Sequence, residues 1–411
     1  MCKLRASPLR NTKVRTLSNS NLPSSRSQTG TIREARLLRF SFPRDRVIGD
    51  SQVRIEKANI GVLELTTSDG LVGTGFFFDL FYGLPSEREL TRIFEDQAMP
   101  GLKGEIPAVL INRILRPRGG NRRILPYGFA EAIDQALWDL HAQSLGLPLW
   151  RLLGGKEGRV RAYASGLDYH LSDSHYSHFF AQAKAKGYEA FKIKVGHRDV
   201  SWDLNRLSLL RDAVGPEALI MVDSNEAWTP KEAIRRINAY QDAGFPIYWL
   251  EDPCLREDFE GLRQVGEALP HTHLNTGEYL DLAGKRALIA ARAVDILNVH
   301  GKISDSLRAG WLAAEHGLEV SLGNTSMEIG VHVACALPEC HWLEYSFQNT
   351  TILIEETVRI ESGYAYAPDR PGHGIRLSDR ARAEFRCPEA GQETAARILP
   401  APPIPLEMSA P

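Results

Sequence analysis

The chain contains no apolar run approaching the roughly 20 residues that a membrane helix requires, so a helical membrane anchor is not expected. It is also short of cysteine. Cys2, Cys254, Cys335, Cys340 and Cys387 are scattered and never form a Cys-x-x-Cys pair, which leaves neither a zinc knuckle nor a secreted disulfide framework. A reducing, cytoplasmic compartment is the reading that follows. An excess of one charge is missing as well: 49 Lys and Arg stand against 51 Asp and Glu, so no basic field exists for nucleic acid. The expected partner is a small neutral or anionic molecule.

What is present is ample core material: 43% of the 411 residues are apolar and 24% charged, enough for two lobes. Residues 1–30 differ, carrying Lys3, Arg5, Arg10, Lys13, Arg15 and Arg26, six serines and no acid. A targeting peptide shares that composition, but an amphipathic helix and an apolar stretch are lacking, so the segment reads as a floppy tail. Residues 31–155 read as an α+β lobe. Strand-like runs flank the turn Ser68-Asp69-Gly70, then Ile133, Ala136, Leu137 and Leu140 recur on one helix face until Gly146 and Pro148 end it.

From residue 156 to 345 short apolar runs alternate with helical segments, which predicts a closed parallel (β/α) barrel. Most of these runs end in one polar residue: Lys194, Asp223, Glu251, Glu278, His300 and Glu344, with Asn324 just after the Glu319 run. The intervals are roughly 20 to 30 residues, and a barrel gathers the C-terminal ends of its strands around one mouth. Asp223, Glu251 and Glu278 end consecutive strands, and three acids brought so close repel unless a hard cation with oxygen ligands joins them. One Mg²⁺ per site is the expectation; without His or Cys among the ligands zinc is disfavoured. Lys192 and Lys194 are two apart on a strand and share a face. Their mutual repulsion, and that of a nearby metal, is expected to lower the Lys194 pKa from about 10.4 toward that of a working base.

The runs Phe191-Lys192-Ile193-Lys194, Val222-Asp223-Ser224-Asn225, Trp249-Leu250-Glu251-Asp252-Pro253 and Gly277-Glu278 resemble, in order and spacing, the barrel motifs of the enolase superfamily. Ala136-Leu137-Trp138-Asp139-Leu140, Gly146-Leu147-Pro148-Leu149 and Leu152-Leu153-Gly154-Gly155 are similar to that family's junction between lobes. The resemblance spans about Thr31 to Arg386 and is nearest the mandelate racemase/muconate lactonizing enzyme-like proteins. It implies a modified (β/α)7β TIM barrel beneath an α+β capping domain, with residues 346–411 returning to the cap. It implies further that the three acids hold Mg²⁺, that the metal grips a substrate carboxylate, and that the adjacent carbon loses its proton to give an enediolate. Family members commonly form homo-oligomers.

The chain departs from both well-known branches of the family. One branch pairs Asp and His at the ends of the sixth and seventh strands, where this chain offers His300 and Asn324; the other carries a second Lys on the sixth strand. His300 is read as the second acid/base group facing Lys194, or as a hydrogen-bonding group, unless the alignment slips to Asp295 or Lys302. Glu344 resembles the family's eighth-strand acid, and Lys192, Asn225 and Asn324 are candidates to orient substrate. Arg46, Asp50, Gln52 and Arg54 lie in the stretch that closes over substrate in relatives and are candidates to set specificity, Arg54 as a substrate-binding residue. Glu328 and His332, four apart, are read as a structural pair on one helix face. The function expected first is dehydration of a hydroxy acid or acid sugar, next racemisation or epimerisation by Lys194 and His300, and last a non-catalytic metal-binding role.

Overall fold

The computed structural model describes residues 30–79, 83–114, 125–323, 326–389 and 396–399; the basic tail and Asn324 lie outside the described residues. Strands β1 (Ile32–Gly49), β2 (Val53–Thr67) and β3 (Val72–Phe78) form an antiparallel meander, and Ala396–Ile398 adds to the free side of β2. The C-terminal segment thus returns to the N-terminal sheet. Arg39, fully buried, fixes that return by donating to Leu84 O, Cys387 O and Glu389 O. Helices α1 (Glu87–Gln97), α2 (Pro107–Ile114) and α3 (Phe129–Ser144) complete this lobe. The face expected from periodicity, Ile133, Ala136, Leu137 and Leu140, is buried throughout. Here α3 presses so closely on β3 that a Cβ at Gly73 or Gly75 would run into Ala136 O or Ala132 O.

Eight parallel strands follow: β4 (Arg159–Ser165), β5 (Ala190–Lys194), β6 (Leu219–Asp223), β7 (Trp249–Glu251), β8 (His273–Thr276), β9 (Ile296–Val299), β10 (Glu319–Leu322) and β11 (Cys340–Ser346). Each pairs with the next, and β11 pairs with β4, closing the barrel. Successive strands are joined by helices, the first Asp173–Ala185 and the last Gly330–Ala336. Because side chains alternate along a strand, the interior is layered. Tyr163, Met221, Trp249, Ile296 and Trp342 fill an apolar floor, and the residues two positions on, Asp223, Glu251 and Glu344 among them, form a polar layer above it.

The lobes meet on buried hydrogen bonds. Asp134 of α3 accepts from the Ser304 N–H at 3.1 Å, and His332 accepts from the Trp150 N–H at 3.1 Å while its Nε2 lies 2.8 Å from His373 O. Burial drives the His332 pKa from 6.5 down to about 3, so the folded state holds it neutral. The unfolded chain binds that proton first, so His332 contributes stability above about pH 6.5 that is lost progressively as pH falls toward 3, at about 1.4 kcal/mol per pH unit. The unfolding midpoint of His332→Asn is therefore expected to decline less steeply than wild type between pH 6 and 4; parallel declines would contradict it. The Glu328–His332 pair expected on one helix face does not form. Met327 and Glu328 adopt left-handed backbone in a 3₁₀ turn before the helix begins, and Glu328 bonds Tyr345 Oη and the Val358 N–H instead.

Candidate active site

Lys192 and Lys194 leave β5 on the same side and enter the polar layer, both almost fully buried. The Lys192 ammonium donates to Glu251 Oε1 at 2.6 Å and lies 3.1 Å from Glu344 Oε1 and 3.6 Å from Asp223 Oδ2. The Lys194 ammonium donates to Asp223 Oδ2 and, at 2.8 Å, to Asn225 Oδ1. Asn225 reaches this position from left-handed backbone, with Glu226 and Asp252 beside it also at positive φ, a concentration of strain at one rim of the barrel. Arg256 braces that rim: it pairs with Glu226 at 2.9 Å and Asp252 at 3.2 Å and covers the Tyr279 ring.

Among the protein's own groups, the carboxylates act on Lys194 against the lowering expected from Lys192 and a metal. Burial acts to lower the Lys194 pKa, but the attraction of Asp223, with Asp50 and Glu251 behind it, outweighs both burial and the repulsion of Lys192 and holds it above the ordinary lysine value. Lys192 is likewise held well above, burial opposing and Glu251 and Glu344 prevailing. Repulsion between two lysines loses to carboxylates in direct contact. The acids divide accordingly. Asp223 is kept below the usual carboxylate range because the two ammoniums overcome its burial, whereas burial raises Glu251 well above that range and, reinforced by Glu344, pushes Glu278 up to about 7.

These residues admit a direct test of the expected metal. Among the described residues no three His, Cys, Asp or Glu side chains stand ready as a cage, because Asp223, Glu251 and Glu344 converge on the Lys192 ammonium. The donor chemistry nevertheless fits a hard dication. Asp223, Glu251, Glu278 and Glu344 are four carboxyl groups set against the two ammoniums of Lys192 and Lys194, so that full ionisation of the acids would leave two negative charges in excess. Glu251 Oε2 is also buried with no hydrogen-bond partner among the described residues. An uncompensated, all-oxygen cluster is what Mg²⁺ binds.

His300 follows β9 directly, and β9 stands four strands from β5 in a ring of eight, so His300 and Lys194 occupy opposite sides of the mouth. Its Nδ1 is buried without a hydrogen-bond partner among the described residues, with Glu278 Oε1 4.0 Å away. The alternatives at this position fall away: Asp295 accepts from Leu274 N at the far end of β9, and Lys302 pairs with Asp305 at 2.7 Å on the next helix. Arg54 is not brought to the site. It alternates outward on β2 between Val53 and Ile55, and its guanidinium lies on the exposed Glu56. Its neighbours do arrive. Gln52 Nε2 donates to Asn225 O, and Asp50, largely buried and with its pKa raised by that burial, carries its charge to Lys194 and Asp223.

Three further side chains, not expected from the sequence, support the site. Asn298 Nδ2 donates to Glu251 Oε1 at 3.3 Å, Asp168 Oδ1 accepts from Lys194 N at 3.3 Å, and Lys285 Nζ donates to Gly277 O and, at 2.7 Å, Leu280 O, pinning the turn that delivers Glu278. Asn298 was legible from period two, being two residues before His300. Asp168 and Lys285 carry no comparable signal, since loop and helix residues reach the site only through the tertiary fold.

Residues 44–154 match the family described as mandelate racemase / muconate lactonizing enzyme, N-terminal domain, and residues 176–381 match the enolase C-terminal domain-like family. A Mesorhizobium loti structure, provisionally named a mandelate racemase, is 51% identical, with a TM-score of 0.83 over 88% of this chain and 95% of that one. The L-talarate/galactarate dehydratase of Salmonella typhimurium is 29% identical over 82% of this chain and 85% of its own length. A structure of a variant of L-talarate/galactarate dehydratase, liganded with Mg and L-glucarate, is 26% identical, with a TM-score of 0.76 over 92% of this chain and 98% of that one. The hydrophobic dipeptide epimerase of Enterococcus faecalis is 30% identical over 69% of this chain and 79% of its own length.

Proposed function

Because this chain belongs to the mandelate racemase-like branch of the enolase superfamily, and is a lyase or isomerase of that superfamily, we propose that it removes the proton α to a substrate carboxylate in a Mg²⁺-dependent reaction, most often to dehydrate a hydroxy acid or acid sugar. The observation that carries this reading is Lys194 set among Asp223, Glu251 and Glu278 with His300 across the barrel mouth. Asp223, Glu251 and Glu278 would hold the cation. Bound there, it supplies Lewis-acid attraction for the substrate carboxylate and a positive field that opposes the acids' upward pull on Lys194. Lys194 takes the α-proton, and the C–H electron pair becomes the new C=C bond as the β-C–O bond breaks. His300 gives a proton to the departing hydroxyl, which leaves as water, and the enol that remains becomes a 2-keto acid. Lys192 stays ionised between Glu251 and Glu344 and keeps the polar layer together, while Asn225 orients the Lys194 amine.

Two groups on opposite sides of one carbon also suit an epimerase, in which His300 returns a proton to the opposite face. The two reactions separate in D₂O with Mg²⁺ and a library of hydroxy and sugar acids. Dehydration is expected, seen as a 2-keto product that semicarbazide captures. Deuterium in recovered acid of inverted configuration would favour epimerisation. Tight Mg²⁺ binding with neither outcome would leave the non-catalytic reading.

A further inference from the structure

β1 and β2 keep antiparallel register as far as Pro43 and regain it at Ile48. Proline has no N–H for the ladder, and an irregularity of this kind re-aims the side chains that follow it. Arg44 is turned toward the segment after β11, where Nη1 donates to Gln348 O. There it lines a cavity between the lobes, with Asn59, Phe76 and Phe78 on the sheet side and Glu344 and Tyr345 on the barrel side. Since Glu344 also touches Lys192, the cavity abuts the acid and ammonium cluster.

Among the described residues Arg44 makes no ion pair, and its Nε is buried without a hydrogen-bond partner. Burial first, then the repulsion of Arg46, brings its pKa down to about 10 against the attraction of Asp45. Glu328, the other acid on the cavity wall, commits its two oxygens to Tyr345 Oη and the Val358 N–H, each at 2.6 Å. A largely buried cation facing a cavity with aromatic walls, and without an ion-pair partner among the described residues, is completed by an anion, and the planar fork of arginine matches a carboxylate with two parallel hydrogen bonds.

We propose that Arg44 is the specificity residue for the far end of the substrate, binding a second carboxylate there, so that the enzyme prefers dicarboxylic to monocarboxylic hydroxy acids. The inference rests on the function proposed above in one respect, that the first carboxylate is held at the acid cluster. Phe76 and Phe78 keep water from the pair and so strengthen it.

The test uses the full chain with Mg²⁺, its Arg44→Gln and Arg44→Lys variants, and matched acids of one configuration: a hexaric diacid and the hexonic acid whose far end is a hydroxymethyl. Wild type is expected to favour the diacid by about tenfold or more in kcat/KM for α-proton exchange, Arg44→Gln to erase the preference through KM, and Arg44→Lys to restore part of it. Equal handling of the two acids by wild type, or a preference that survives Arg44→Gln, overturns the assignment. Calorimetric titration of both acids into Lys194→Ala with Mg²⁺, with and without Arg44→Gln, separates this inference from the proposed reaction. A diacid preference in binding that depends on Arg44 supports it even where no exchange occurs. The lack of such a preference overturns it whatever the turnover.

Discussion

Lys194→Ala is expected to slow α-proton exchange by about three orders of magnitude, the usual worth of a positioned general base, while Mg²⁺ affinity stays equal to wild type or rises. The second half of that expectation distinguishes the base from a structural lysine. Lys194 sits on Asp223 Oδ2, so removing the amine frees a carboxylate oxygen rather than disabling one. The backbone of β5 is held independently, by its pairing with β4 and β6 and by Asp168 accepting from the Lys194 N–H. Lys194→Ala is therefore expected to fold and to bind both cation and acid. Exchange that persists in this variant refutes Lys194 as the base. Loss of exchange together with loss of Mg²⁺ binding would mean that its role is to hold the acids in place.

Chelation is the second large effect. An orphaned Glu251 oxygen, and the Glu251 and Glu278 carboxyls that burial pushes up, the latter to about 7, describe a centre in need of positive charge. Stripping the enzyme with a chelator is expected to reduce exchange by about 10³-fold or more, and added Mg²⁺ to restore it. Without a cation the substrate carboxylate would bring a further anion into a buried cluster whose Glu251 and Glu278 carboxyls are already pushed upward, first by burial and then by neighbouring acids. Full activity in excess chelator would remove the cation from the account while leaving the fold untouched.

Much of this site was legible because strand periodicity and strand ends are local properties. Lys194, Asp223, Glu251 and Glu344 each close or follow an apolar run, and all are found in the polar layer. The same alternation also contained the correction on Arg54: Ile55 points inward, so Arg54 beside it points out. What alternation cannot carry is the field at each side chain. Of the two lowering influences expected on Lys194, the neighbouring ammonium is outweighed by Asp223, with Asp50 and Glu251 behind it, as Glu251 and Glu344 outweigh burial at Lys192, while the metal's influence is a separate contribution. Asp50 and Gln52 gave only a weak signal for a related reason: a loop of the N-terminal lobe reaches Asn225 only after the lobes have docked. The Glu328–His332 pairing failed on backbone geometry, since two left-handed residues interrupt the helix the spacing assumed.

The most direct measurement is metal binding to the protein alone, by titration with Mn²⁺ followed by electron paramagnetic resonance and competition with Mg²⁺. One tight site per chain is expected, lost in Glu251→Gln and Glu278→Gln and retained in Arg54→Ala, whose side chain lies away from the cluster on Glu56. A site of unchanged affinity in both carboxamide variants would contradict the account, because the cation would then be held elsewhere and the chemistry assigned to Lys194 would have no partner.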